Sequence, residues 1–322
     1  MVLEFLFGSK EVRKHPIFLL FQSILLSSLA IWIGYVVFPN NSSIAAIAFV
    51  TIGLVPLIEK ILSDEEEDEE QRPGNSLGFL ARHSEIIAIY GWFFLGLIIS
   101  YSFWFYALPA AESPICIAGL CIQAPVKDKV FAEQESTLGI IRGSYDSSVK
   151  SARENCFGTL RSIESCTEAI FENNAIVLGL AILFSFLYGA GAIFLLAWNA
   201  SVIGILLGQQ ALSLQAYQSG IASGIGLVPH GVLEIGAYFF GAIAGGIISA
   251  AIIRGKFQTK AFTQVAKDSL VLIIAAYILL AAGAIVEAAI IFERLEIVGA
   301  VYLVLGAGVI CWLYFMFKEM KK

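Results

Sequence analysis

Residues 226–245 read GLVPHGVLEIGAYFFGAIAG, an apolar run that carries His230 and Glu234. The run lies inside a longer stretch, residues 175–253, whose single formal charge is Glu234. Roughly 20 mainly apolar residues suffice to cross a bilayer as a helix, so this stretch is long enough for several crossings. An acid at the centre of such a helix costs about 2.5–3.5 kcal/mol on insertion scales and points to function or to a buried partner. Pro229 suits a first helical turn, where its missing N–H costs nothing. His230 and Glu234 are four apart and so lie one turn from each other on one face. At about 100° per residue, Gly241 and Gly245 fall on that same face. The spacing Gly241-x-x-x-Gly245 is the small-residue surface on which membrane helices approach closely. His230 and Glu234 are therefore expected to look into a helix bundle and away from lipid.

Working outward, the whole chain has this character. Of its 322 residues, 58% are hydrophobic and 14% charged, against about 25% charged in soluble domains. That excludes an ordinary soluble protein and a disordered one. The expected fold is an all-α polytopic integral membrane bundle with a small helical extracytoplasmic loop domain. Residues 17–38, 43–62, 86–108, 175–198, 225–253, 269–292 and 297–317 are the apolar stretches of spanning length. Residues 199–220 are weaker, interrupted by Gln209, Gln210, Gln215 and Gln218.

Basic residues set the expected orientation. Lys10, Arg13 and Lys14 precede the first span, Lys60, Arg72 and Arg82 follow the second, and Arg254, Lys256, Lys260, Lys267, Lys318, Lys321 and Lys322 lie near the end. Placing all of these inside requires residues 199–220 to cross as well, giving about eight spans. Both termini are then cytoplasmic, residues 109–174 lie outside, and the protein is multi-pass in the plasma membrane. Three regions follow: a three-helix membrane region over 1–108 with an acidic cytoplasmic loop at 63–72, an outer cap over 109–174, and a membrane core over 175–322.

Net charge is −6, but seven acids run unbroken from Asp64 to Glu70, so the acidity is local. Such runs read as solvated loops. No basic cluster with interleaved aromatics supports nucleic-acid binding. Four of the five cysteines, Cys116, Cys121, Cys156 and Cys166, fall in the outer loop. Their spacing is unlike zinc knuckles and favours disulfides in an oxidising compartment. Of three pairings, loop order favours Cys116–Cys121 with Cys156–Cys166. Cys311 stands alone in an apolar stretch, where it is expected to pack.

A second acid, Glu287, shares a helix face with Ala276 and Gly283 in the stretch 269–292, and Asn199 with Gln209 and Gln210 could complete a polar centre. Three readings stay open: a hydrogen-bonded network fixing helix packing, a proton or ion path through His230, Glu234 and Glu287, and a metal site. No paired-histidine zinc motif, Walker loop, dinucleotide-binding glycine signature, G-x-S-x-G elbow or Cys–His dyad is present. A non-enzymatic protein without cofactor or metal is expected.

Several motifs occur together in one order: Phe171-Glu-Asn173-Asn174, Gly189-Ala-Gly191, Trp198-Asn199-x-x-x-x-Gly204, Pro229-His230-Gly231-x-x-Glu234, Gly241-x-x-x-Gly245 and Ala284-Ile-Val-Glu287-Ala288. In this order they resemble the stage II sporulation protein M family, over roughly residues 171–317. The resemblance implies a helical membrane core with Pro229, Gly231, Gly241 and Gly245 in its motif. It also implies a role as scaffold within an envelope complex. The bacterial member works with two partners on peptidoglycan remodelling during engulfment, and members occur in organisms that do not sporulate. The expected partners are the lipid bilayer and envelope or membrane proteins, a second copy of the chain included. The competing class is a transporter or channel for protons, ions or a small solute, built around His230 and Glu234 beside the glutamine-rich segment.

Overall fold

The computed structural model describes residues 9–71, 83–111, 114–117, 120–141, 156, 158, 162–211, 214–255 and 259–320. Arg72, Arg82, Lys256, Lys321, Lys322 and residues 142–155 of the outer loop lie outside the described residues. The helices are α1 (Ser9–Lys14), α2 (Ile17–Val37), α3 (Ser42–Gln71), α4 (Ser84–Ala107), α5 (Lys127–Val130), α6 (Ala132–Ile141), α7 (Ile163–Tyr188), α8 (Ala192–Ala211), α9 (Leu214–Ile253), α10 (Lys260–Ile291) and α11 (Leu295–Met320). Strands β1 (Pro114–Ile117) and β2 (Leu120–Gln123) form an antiparallel hairpin ahead of α5. Its register sets Cys116 opposite Cys121.

Seven of these helices are long and apolar enough to cross a membrane, and Leu295–Cys311 is a shorter apolar helix. The protein is a polytopic helical membrane protein. Its surface agrees: Phe21, Leu25, Leu29 and Val36 on α2 are more than half exposed while Ser23 and Ser27 on the same helix are buried. An apolar stripe of that size is not left to water by a soluble protein; lipid covers it.

Two boundaries differ from the sequence reading. Residues 175–198 do not make one span. The chain turns at Gly189, whose φ of 65° ends α7, a left-handed conformation that glycine adopts without steric cost. Trp198 and Asn199 consequently lie inside α8, and residues 199–220 are the end of α8 and the start of α9. The acidic run is the second correction. It continues α3 as helix to Gln71, since glutamate is a good helix former and Lys60 pairs with Asp64 one turn on at 2.6 Å. Cys311 is exposed and does not pack as expected.

The chain forms two compact units, one of residues 1–58, 88–146 and 193–224, the other of residues 59–87, 147–192 and 225–322. In the first, serines and glycines set the helix contacts. Ser27 Oγ donates to Ser100 Oγ at 2.7 Å and Trp104 Nε1 to Ser28 Oγ at 2.8 Å, tying α2 to α4. Gly204 and Gly208 let α8 lie on α4: a Cβ at either would fall 2.8 Å from the Ile98 carbonyl oxygen or 2.9 Å from that of Ser102. The loop helices close this unit at one end. Ser42 and Ser43, opening α3, donate to the Lys129 and Val130 carbonyls at 2.9 and 2.8 Å. Phe131 packs with Tyr101 and Phe105, and Gln134 Nε2 reaches Ser201 Oγ at 3.3 Å.

In the second unit α7 is started by Ser162, whose hydroxyl accepts from the Ser165 N–H at 3.1 Å, satisfying one of the free donors of the first turn. Just inside that end Cys166 is joined to Cys156 by a disulfide and packs with Ile170 against Ala284 and Ala288 of α10. Gly241 and Gly245 bring α9 onto α7. Arg254 closes the far end of α9, donating to the Ser63 carbonyl and hydroxyl at 2.8 and 2.6 Å.

Candidate functional site

The polar residues of the second unit meet where α7, α9 and α10 converge. Gly283 makes the approach possible. A Cβ there would fall 2.9 Å from Glu234 Cγ and 3.5 Å from the His230 carbonyl oxygen, so α10 presses its backbone onto the α9 turn that carries both residues. One turn further along α10, Glu287 is the charged neighbour of Glu234. From the other side α7 supplies Asn174, whose Nδ2 donates to Glu234 Oε1 at 2.9 Å. The Tyr238 hydroxyl, one turn after Glu234, donates to Asn174 Oδ1 at 3.1 Å. Tyr238 is buried, and Glu234 and Glu287 are half-buried. A buried polar group without a partner costs several kcal/mol in hydrocarbon, which is what this chain of bonds removes.

The glycines of the quoted motif divide by role. Gly241 faces Leu178 and Ile182 of α7, and Gly245 faces the Ile182 carbonyl and Ser185. Among the described residues Gly231 has nothing within 4 Å of the position its Cβ would take, so none of them makes the close approach there that Gly241 and Gly245 show. Pro229 lies inside the 40-residue helix α9 and not in its first turn. Its carbonyl accepts from the Tyr302 hydroxyl of α11.

Of the expected polar centre, Glu234 and Glu287 are brought together, and His230 lies one turn away with its backbone against Gly283. Asn199 is not part of this cluster. Its Nδ2 donates to the Leu195 carbonyl of its own helix at 2.8 Å. Gln209 donates to Glu135 of the loop helix α6 at 3.3 Å. The bridging roles fall to Asn174 and Tyr238 instead. Tyr238 was readable from its i+4 spacing to Glu234, whereas Asn174 is distant in sequence and gave no such signal.

Glu234 lies within α9 (Leu214–Ile253), and Glu287 lies four residues before the end of α10. Among the described residues no group of three or more His, Cys, Asp or Glu is placed to hold a metal ion.

Fold and site together define a multi-span helical membrane protein with a carboxyl–amide–phenol cluster in its interior. The family model of stage II sporulation protein M matches residues 23–290, and the chain belongs to that family. The match takes in the N-terminal spans, which the motif resemblance over 171–317 did not include, and stops before α11. No curated protein and no solved structure was found to match the chain.

Proposed function

We propose that the protein is a non-enzymatic scaffold of the plasma membrane, a subunit of a complex that organises or remodels the cell envelope. The observation that carries this reading is where the polar groups are spent. Asn174 uses its donor on Glu234 and its acceptor on Tyr238, and Glu234 turns to Glu287. Three helices are fixed by one cluster, at a place where close glycine contacts already exclude space. In this reading the outer loop with its cysteines, or the acidic end of α3, engages membrane or envelope proteins, and both termini are cytoplasmic.

Transport is the second reading, favoured by the carboxyl pair within helices of spanning length. Proton and cation flux into liposomes separates the two. The scaffold reading expects no flux from wild type, a less stable Glu234→Leu variant, and membrane proteins co-purifying with wild type. Flux that Glu234→Gln abolishes, with thermal stability intact, would replace it by transport.

A further inference from the structure

A groove of about 550 Å³ on the second unit is lined by α7, α10 and α11. Because α10 packs against both of the others, its Ala281 and Ile285 form the floor. Ile163 and Phe171 of α7 and Ile297 of α11 are the apolar walls. Two acids, Glu164 and Glu168, stand in the α7 wall. Four residues apart, they share one helix face and are separated by about 6 Å along the axis. We propose that this groove is the docking site for a helix of another membrane or envelope protein. That helix lays apolar side chains on the α10 floor and sets Lys or Arg against Glu164 and Glu168. This deepens the scaffold reading by naming a face and a partner chemistry, and it rests on that reading. Flux can overturn the reading while binding at the groove stands, and binding can fail where no flux is seen.

Charge selects the occupant. Glu164 lies in the first turn of α7, where the helix dipole favours an acid. Glu168 lies beyond that turn, where the dipole effect has fallen away, and Glu172 follows one turn later; both are exposed. Among the described residues no Lys or Arg lines the groove, and Arg294, between α10 and α11, is engaged with Glu296. A phospholipid would bring its phosphate against these carboxylates with no base to receive it, and like charges set together cost free energy. A bare cation would leave the apolar floor uncovered. A helix with an apolar face and basic residues one turn apart meets both parts, in the helix-in-groove mode of recognition. The exposed stripe continues along α7 through Ile176, Leu180, Leu183 and Leu187, so such a helix keeps apolar contact beyond its basic end. The wall is also preformed, which lowers the cost of binding. Cys166, between the two acids in sequence, is held to Cys156 and packs on Ala284 and Ala288.

The test uses the full-length protein in phosphatidylcholine nanodiscs. The probe is a fluorescent amphipathic peptide of leucine and alanine that carries two lysines one helical turn apart. Binding is read by anisotropy against empty nanodiscs. The expected result is saturable binding to wild type, weakened about five- to tenfold in Glu164→Gln/Glu168→Gln, the size of two lost exposed ion pairs. Ile285→Trp fills the floor and should weaken binding as well, and the same peptide with glutamates for lysines should not bind. No saturable binding to wild type would overturn the proposal. So would equal binding by the double variant, which puts the peptide elsewhere, such as on the acid-rich end of α3. A phospholipid retained by wild type in native mass spectrometry and lost in the double variant, without peptide binding, gives the groove to lipid and also overturns it. Glu164 and Glu168 are exposed, so the double variant decides even where Ile285→Trp does not fold.

Discussion

Gly245 lies so close to Ile182 that a Cβ at residue 245 would fall 2.5 Å from the Ile182 carbonyl oxygen. That oxygen belongs to the helix backbone and cannot rotate aside. At Gly241, four residues earlier, the corresponding neighbours are the side-chain atoms Leu178 Cδ1 at 2.6 Å and Ile182 Cγ1 at 3.0 Å. Gly245→Ala should therefore force α7 and α9 apart, at about 1–3 kcal/mol, and Gly241→Ala should cost less because the leucine can change rotamer. Thermal unfolding in detergent checks the order. Equal losses would show that the backbone contact does not set the spacing.

Gly231 gives the opposite expectation from the same motif. Among the described residues nothing lies within 4 Å of its Cβ position, and it sits within α9. Glycine in a helix interior is less favourable than alanine by about 1 kcal/mol. Gly231→Ala should leave the melting temperature unchanged or raise it. A loss as large as that of Gly245→Ala would mean that a partner covers this face.

The disulfide between Cys156 and Cys166 closes a loop of ten residues' separation. Chain-entropy arguments put such a closure at about 2–3 kcal/mol. Because Cys166 also packs against Ala284 and Ala288, reduction should loosen the contact between α7 and α10. Cys156→Ser should reproduce the effect of reductant, and adding reductant to that variant should change nothing further in unfolding of the second unit.

Glu135 makes stability depend on pH in the loop helices. Burial raises its carboxyl above its ordinary value and Asp128 adds to this, while the Gln209 amide and Lys127 act the other way. The folded protein thus binds this proton more tightly than the unfolded chain does. The contribution is complete in acid and is lost as pH rises through the folded value. Glu135→Gln keeps an acceptor for Gln209 and removes the titration. It should match wild type in acid and exceed it at neutral pH; a variant less stable than wild type at neutral pH would reverse the sign of the argument.

Hydropathy made the helical membrane class legible, because lipid leaves no other way to satisfy the backbone of long apolar stretches. The boundary between α7 and α8 was not legible in the same way. Apolar residues continue through Gly189, and only the backbone conformation there marks the turn. Trp198, the expected last residue of a span over 175–198, lies within α8. The pairing of Glu234 with Glu287 was half readable: face periodicity turned each acid inward, but periodicity within one helix says nothing about which neighbour it meets. Asn174 shows this most clearly, since its bond to Glu234 spans 60 residues. The disulfide at Cys156–Cys166 followed loop order. The β-hairpin at Pro114–Gln123 went unread, its strands only four residues each.

The separation of Asn174 from Glu234 has a consequence for how the protein is made. Ribosomes add about 5–20 residues per second, so the 60 residues between them take roughly 3–12 s at that pace. Over that interval Asn174 enters the bilayer before its acceptor exists, and Glu234 then waits for Glu287 in the helix after it. The cluster is assembled in order of emergence, each helix carrying one unmatched polar group until the next arrives. Shielding Asn174 from lipid until then falls to the insertion machinery during synthesis, and a chain released before α10 would hold Glu234 on Asn174 but without Glu287 beside it.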